Sequence, residues 1–231
     1  MLTTRAKDQL YLLGVREQAI SEGRARLTFF TTRGDLDAYT RVSRGVRQAV
    51  VLLGGHRDEM TFDSEFDLLS RDLFQRGIGS VLVDYRHPGD CTQCAIDALL
   101  ACQYLDDEGV CDVLLMGWSF GATVALAAGS VGRIVRGVAA ISPVDVDECC
   151  VRRMRRRSLL VVRGDEDELG AFDTDRRGKA KDNHTRVLAY QGQGHDLSGV
   201  RRQLHSDLMD WTCQTLKANC SRPDLPTRVR A

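Results

Sequence analysis

Long hydrophobic runs are missing from this sequence, and so is any excess of charge. No apolar stretch approaches the roughly 18 residues that a bilayer-crossing helix needs, so no membrane partner is expected. Lysine plus arginine and aspartate plus glutamate both number 32. The overall charge therefore favours neither nucleic acid nor an acidic membrane surface. Proline is scarce, at four in 231 residues, and aromatics make up 6 %, so most of the backbone is free to form regular elements around an aliphatic core. A second C-x-x-C is absent, as is any H-x-x-x-H. Without one of them, Cys91 and Cys94 make only half of a zinc site, and no metal is expected.

Cysteine, by contrast, is plentiful: Cys91, Cys94, Cys102, Cys111, Cys149, Cys150, Cys213 and Cys220. Most sit inside apolar or helical patterns, where a thiol behaves as a small hydrophobe. A redox pair at Cys91 and Cys94 is the alternative. The N-terminal "MLTTRAKDQLYLLGVREQAI" has only a short apolar core, Leu10 to Val15, flanked by charges of both signs. That is a poor secretory signal and reads as an amphipathic helix, so the chain is expected to be cytoplasmic. Residues 1–24 are read as a helical extension, 25–218 as one domain and 219–231 as a loosely ordered tail.

Within the domain, apolar runs alternate with helical patterns. "ARLTFFTTRGDLDAYTRV" reads as a hairpin about Arg33-Gly34-Asp35. "QAVVLLGG" is a strand buried on both faces, and "SEFDLLSRDLFQRG" is a helix stopped by Gly77. "GSVLVDYR", "DVLLMG", "VRGVAAISPV", "SLLVVRG" and "HTRVLAYQG" follow as strands. The patterns at 91–107, after Ser119, and from Gly199 read as helices. This order implies βαβ crossovers and a mainly parallel sheet of about eight strands, with an antiparallel N-terminal hairpin and helices on both faces.

Gly117-Trp118-Ser119-Phe120-Gly121 fits G-x-S-x-G exactly where that pattern has a mechanism, after a buried strand and opening a helix. A serine hydroxyl needs a histidine to take its proton. His195, in "YQGQGHDLSG", follows the last strand and so lies at the same carboxyl edge of the sheet as Ser119. The acid that orients it should come from another loop at that edge. "SLLVVRGDEDELG" offers Asp165, Glu166 and Asp167. Asp167 is preferred, Asp165 and Glu166 are read as solvated, and Asp145 or Asp147 is the alternative position. For the oxyanion, the Phe120 N–H is one donor, and His56 N–H with Gly55 behind it supplies the other. Trp118 is the expected substrate contact, with Phe120 beside it and Met60 and Phe62 as weaker candidates.

With these residues in place, the chain resembles the α/β-hydrolase superfamily over about residues 25–216. It looks most like small serine esterases and dienelactone-hydrolase-like proteins that have no cap domain. The order serine, acid, histidine matches. "VLVDYRHPGD" resembles the stretch after the fourth strand, and "LLVVRGDED" the one that carries the acid. Two departures stand out. Gly54-Gly55 replaces the usual His-Gly before the oxyanion donor, and serine stands where dienelactone hydrolases carry cysteine. The connection Val144 to Arg157, about 14 residues, is too short for a large cap. Its arginines, Arg152, Arg153, Arg155, Arg156 and Arg157, read as a solvated helix face. The resemblance implies ester hydrolysis through an acyl-enzyme, with no cofactor and a small-molecule ester as partner. The chain would act as monomer or homodimer. A thioesterase or peptidase using the same residues, or a silent binding protein of the same fold, are the alternatives.

Overall fold

A computed structural model describes residues 10–21, 23–55, 65–146, 148–154, 157–170 and 184–220. Nine strands form one sheet: β1 (Leu12–Ser21), β2 (Arg24–Thr31), β3 (Leu36–Arg41), β4 (Gln48–Leu53), β5 (Gly79–Asp84), β6 (Asp112–Trp118), β7 (Val135–Ile141), β8 (Ser158–Gly164) and β9 (Thr185–Tyr190). Their order is β1-β2-β3-β5-β4-β6-β7-β8-β9. The first three strands run antiparallel to their neighbours. From β5 onward every pairing is parallel.

The continuous apolar runs have a simple cause, since both faces of the parallel strands are covered. Ala49, Val51, Leu53, Val113 and Leu115 point into one core. There they meet α2 (Cys91–Asp107) and α3 (Phe120–Val131). Val50, Leu52, Leu114 and Met116 point into the other. That core is closed by α1 (Glu65–Gln75) and α5 (Arg201–Cys220), while a short α4 (Glu148–Arg153) lies between β7 and β8. No large cap interrupts the described residues.

The N-terminal segment corrects the sequence reading. Residues 12–21 form a strand, paired antiparallel with β2 from Leu12↔Thr31 to Ser21↔Arg24. Leu10, Leu13, Val15 and Ile20 do not keep one helical stripe, and Gly14 with two β-branched residues disfavours a helix. Both faces of β1 are largely exposed, so it needs no strict alternation and leaves no strand pattern to read.

The arginine run is also corrected at its last member; Arg155 and Arg156 lie outside the described residues. Arg157 is not a solvated face residue. Its guanidinium donates to the carbonyls of Val135 (3.0 Å), Gly132 (2.9 Å) and Ser130 (3.4 Å). It thus satisfies carbonyls at and beyond the C-terminus of α3. Burial first, and then Arg136, push its proton affinity below that of an ordinary arginine. Arg157→Ala is expected to lower the unfolding free energy by about 1–3 kcal/mol, because three acceptors lose a charged donor. Arg157→Lys should recover only part, since an ammonium lacks the planar fork. Urea midpoints of the three proteins check this.

Candidate active site

The carboxyl ends of β6, β7, β8 and β9 are stitched together one residue beyond the strands. Ser119 N–H donates to Ile141 O (2.8 Å), Ser142 N–H to Val162 O (2.8 Å), and Asp165 N–H to Tyr190 O (3.1 Å). Glu166 N–H reaches Gln193 O at 3.0 Å. These bonds hold the loops carrying the serine, the acid and the histidine in one row.

Ser119 sits where β6 turns into α3, with φ 55° and ψ −118°. That left-handed conformation is costly for a residue with a Cβ and is held by its surroundings. A Cβ on Gly121 would run into the carbonyl oxygen of Leu53, and one on Gly117 into that of Gly121. The two glycines of the motif are therefore dictated by close backbone packing. On the neighbouring loop, a Cβ on Gly164 would meet Gln193 O, which explains the glycine just before the acids.

Three side chains meet at this edge. His195 Nε2 lies 2.9 Å from Ser119 Oγ. His195 Nδ1 lies 3.0 Å from both Oδ1 and Oδ2 of Asp167. The Asp167 side chain is 1 % exposed and that of His195 24 %, so the acid is shielded while the imidazole edge stays open to solvent. Leu169 N–H also donates to Asp167 Oδ1 at 3.0 Å. The arrangement can move a proton from Ser119 Oγ to Nε2 while a buried carboxylate faces Nδ1.

The other acids have different surroundings. Asp165 is exposed but not merely solvated: its carboxylate accepts Gly192 N–H at 2.7 Å and braces the histidine loop. The Asp145 backbone is tied to Thr123 Oγ1. Asp147, His56, Met60 and Phe62 lie outside the described residues. Gly55 is buried two residues past the end of β4, and Phe120 opens α3.

The two residues flanking Ser119 go to opposite sides of the sheet. Trp118 continues the row of Leu114 and Met116 and packs toward α1 and α5. The Arg201 guanidinium lies over its ring, 4.9 Å from the centroid. Phe120 packs on the α2 side, edge to face with Tyr85 at 6.2 Å. Sequence reasoning missed both Arg201 and Tyr85. Only the parity of Trp118 with Leu114 and Met116 signalled which way the indole points.

Cys91, Cys94, Cys102, Cys111 and Cys213 are free thiols. Cys94 is buried, donates to His87 O at 3.2 Å, and is pushed up to about 12, mainly by burial. Burial, then Cys150 and Asp145, also raise Cys91. Thiols held in the protonated form are poor nucleophiles, which speaks against the redox reading of this pair. Among the described residues, no group of side chains is arranged to hold a metal ion, and no helix is long and apolar enough to cross a membrane.

The nine-stranded sheet with its serine turn between β6 and α3 is the α/β-hydrolase fold. No family model and no curated protein matches the sequence, but solved structures do. Est1E from Butyrivibrio proteoclasticus superposes with a TM-score of 0.68 at 12 % identity, covering 83 % of this chain and 99 % of that one. XC6422 from Xanthomonas campestris, described as an α/β serine hydrolase without lid, gives 0.64 at 17 % identity over 90 % of this chain and 100 % of its own. A dienelactone hydrolase from Anabaena variabilis gives 0.62 at 16 % identity, covering 85 % and 98 %.

Proposed function

We propose that this protein is a serine hydrolase acting on carboxylic esters, with Ser119 as nucleophile, His195 as general base and acid, and Asp167 as its orienting carboxylate. The observation that carries this reading is the unbroken chain from Ser119 Oγ through His195 to Asp167, with spacings of 2.9 and 3.0 Å, at the strained turn that opens α3. As Oγ bonds to the ester carbonyl carbon, its proton passes to His195 Nε2. The resulting oxyanion rests on the Phe120 N–H and on a backbone N–H of the Gly55–His56 loop. His195 then gives its proton to the leaving oxygen as the carbon–oxygen bond breaks. A water attacks the acyl-enzyme and loses a proton to Nε2; that proton returns to Oγ when the acid departs. Asp167 holds Nδ1 protonated and stabilises the imidazolium through both proton transfers. Trp118 is the proposed cleft wall on the α1 side, and Phe120 that on the α2 side.

A fluorophosphonate probe tests the nucleophile directly. Labelling is expected at Ser119, located by peptide mass spectrometry, and absent in Ser119→Ala. A folded wild type that takes no label would mean a silent member of the fold. Hydrolysis rates on matched oxygen esters, thioesters and amides then separate the esterase from a thioesterase or peptidase, with oxygen esters expected to lead.

A further inference from the structure

A second cluster lies on the α1 side of the sheet, separated from β6 by β5 and β4. Three guanidinium groups converge there on one carboxylate. Asp67 Oδ1 meets Arg41 Nη2 at 3.1 Å and Arg24 Nη2 at 3.5 Å, while Oδ2 meets Arg71 Nη2 at 3.5 Å. Arg24 and Arg41 are largely buried, at 15 % and 13 % side-chain exposure. Among the described residues, Asp67 is the one acidic partner of Arg41 and of Arg71. Among the described residues, the buried Nε of Arg41 has no acceptor. Burying a cation that shares its carboxylate is costly, and Arg41 is nonetheless held here at 13 % exposure.

A small cleft opens beside Arg24 and Arg41, walled in part by Phe66 and Leu82. Arg24, Tyr39, Thr40, Arg41, Asp67 and Ser70 line it. Ser70 Oγ lies 2.6 Å from Ser80 Oγ, so one of these two hydroxyls donates to the other and the second keeps its proton for a further acceptor. Arg71 is 56 % exposed and can swing over an occupant from the open side. Guanidinium forks match ligands that present several oxygens and more than one negative charge. We infer that this cleft is a binding site for a phosphate group, gripped by Arg24, Arg41 and Arg71, with Asp67 as the internal anion it competes against.

The site ties β2 and β3 to α1, so occupancy should be read as stability. Thermal unfolding in a non-phosphate buffer, with inorganic phosphate titrated against sodium chloride at equal ionic strength, is the test. A saturable rise in Tm is expected, about 2–4 °C for each kcal/mol of linkage at this chain length. Arg71→Gln, on an exposed helix position, should weaken phosphate at least tenfold while the protein still unfolds cooperatively. Asp67→Asn should bind phosphate several-fold more tightly than wild type, since the competing charge is gone. Glycerol phosphate run in parallel distinguishes the sources: tighter binding than inorganic phosphate assigns the site to an organic phosphate, and weaker binding to the free ion. A shift reproduced by chloride, or one unchanged in Arg71→Gln, would mean an adventitious ion only and would overturn the proposal. If Asp67→Asn fails to fold, the Arg71→Gln comparison decides alone.

Discussion

Ser119→Ala is expected to lower kcat for ester hydrolysis by about 10⁴–10⁶, with Asp167→Asn losing about 10⁴. In the proposed mechanism the serine carries the bond that forms, so its removal leaves only oxyanion stabilisation and binding. The effect of Asp167 follows from its burial. Its side chain is 1 % exposed, and both oxygens lie 3.0 Å from Nδ1 of His195. Asparagine in its place presents an amide that can donate toward Nδ1. That favours the imidazole tautomer with its proton on Nε2, where it cannot accept from Ser119. Asp165→Asn should cost far less, because Asp165 accepts Gly192 N–H and works through the loop alone. Steady-state kinetics on one activated ester, with active sites counted by the fluorophosphonate, give all three numbers. A loss in Asp165→Asn that equals the loss in Asp167→Asn would refute the assignment of the orienting acid.

How much of this was legible without coordinates depends on how local the cause is. The serine turn was legible because its determinants are adjacent: an apolar strand, two glycines forced by backbone contact, and a run of small helix residues. Strands β4 to β8 were legible for the same reason, since strands buried on both faces must be written as continuous apolar runs. The geometry also brings Asp167, rather than Asp165 or Glu166, to His195, at the spacing read from the loop. β1 was not legible, because an edge strand exposed on both faces leaves no period to detect. Nor was the role of Arg157, whose acceptors are carbonyls at positions 130, 132 and 135; backbone carbonyls have no signature in the side-chain code. Tyr85 beside Phe120 and Arg201 over Trp118 escaped because each contact joins segments far apart in the chain.

The pair Arg86 and Asp97 should give the largest stability effect of any substitution outside the hydrophobic cores. Asp97, on α2, is completely buried, and the Arg86 side chain is 3 % exposed. Arg86 follows β5 by two residues, and its Nε donates to Asp97 Oδ1 at 2.6 Å while its backbone N–H donates to Oδ2 at 3.0 Å. The guanidinium reaches further, to Arg33 O at 3.2 Å. One carboxylate therefore fixes the loop after β5, and through Arg86 the β2–β3 turn, at the carboxyl edge where Tyr85 meets Phe120. Asp97→Ala leaves a guanidinium buried with its charge unpaired and a backbone N–H without an acceptor. It is expected to cost about 3–5 kcal/mol, and Asp97→Asn somewhat less, since the amide oxygen can still take one donor. The double variant Asp97→Leu with Arg86→Met should be more stable than Asp97→Ala, because no uncompensated charge remains. Urea unfolding of the set measures the coupling. If the double variant lost as much as the sum of its single substitutions, the pair would be acting independently, and the loop would owe its position to Tyr85 packing instead. Catalysis offers a second readout. The double variant keeps the core filled but loses the tether to Arg33, so its ester turnover should fall more than its stability does. That would mark Arg86 as a residue that positions the wall behind Phe120.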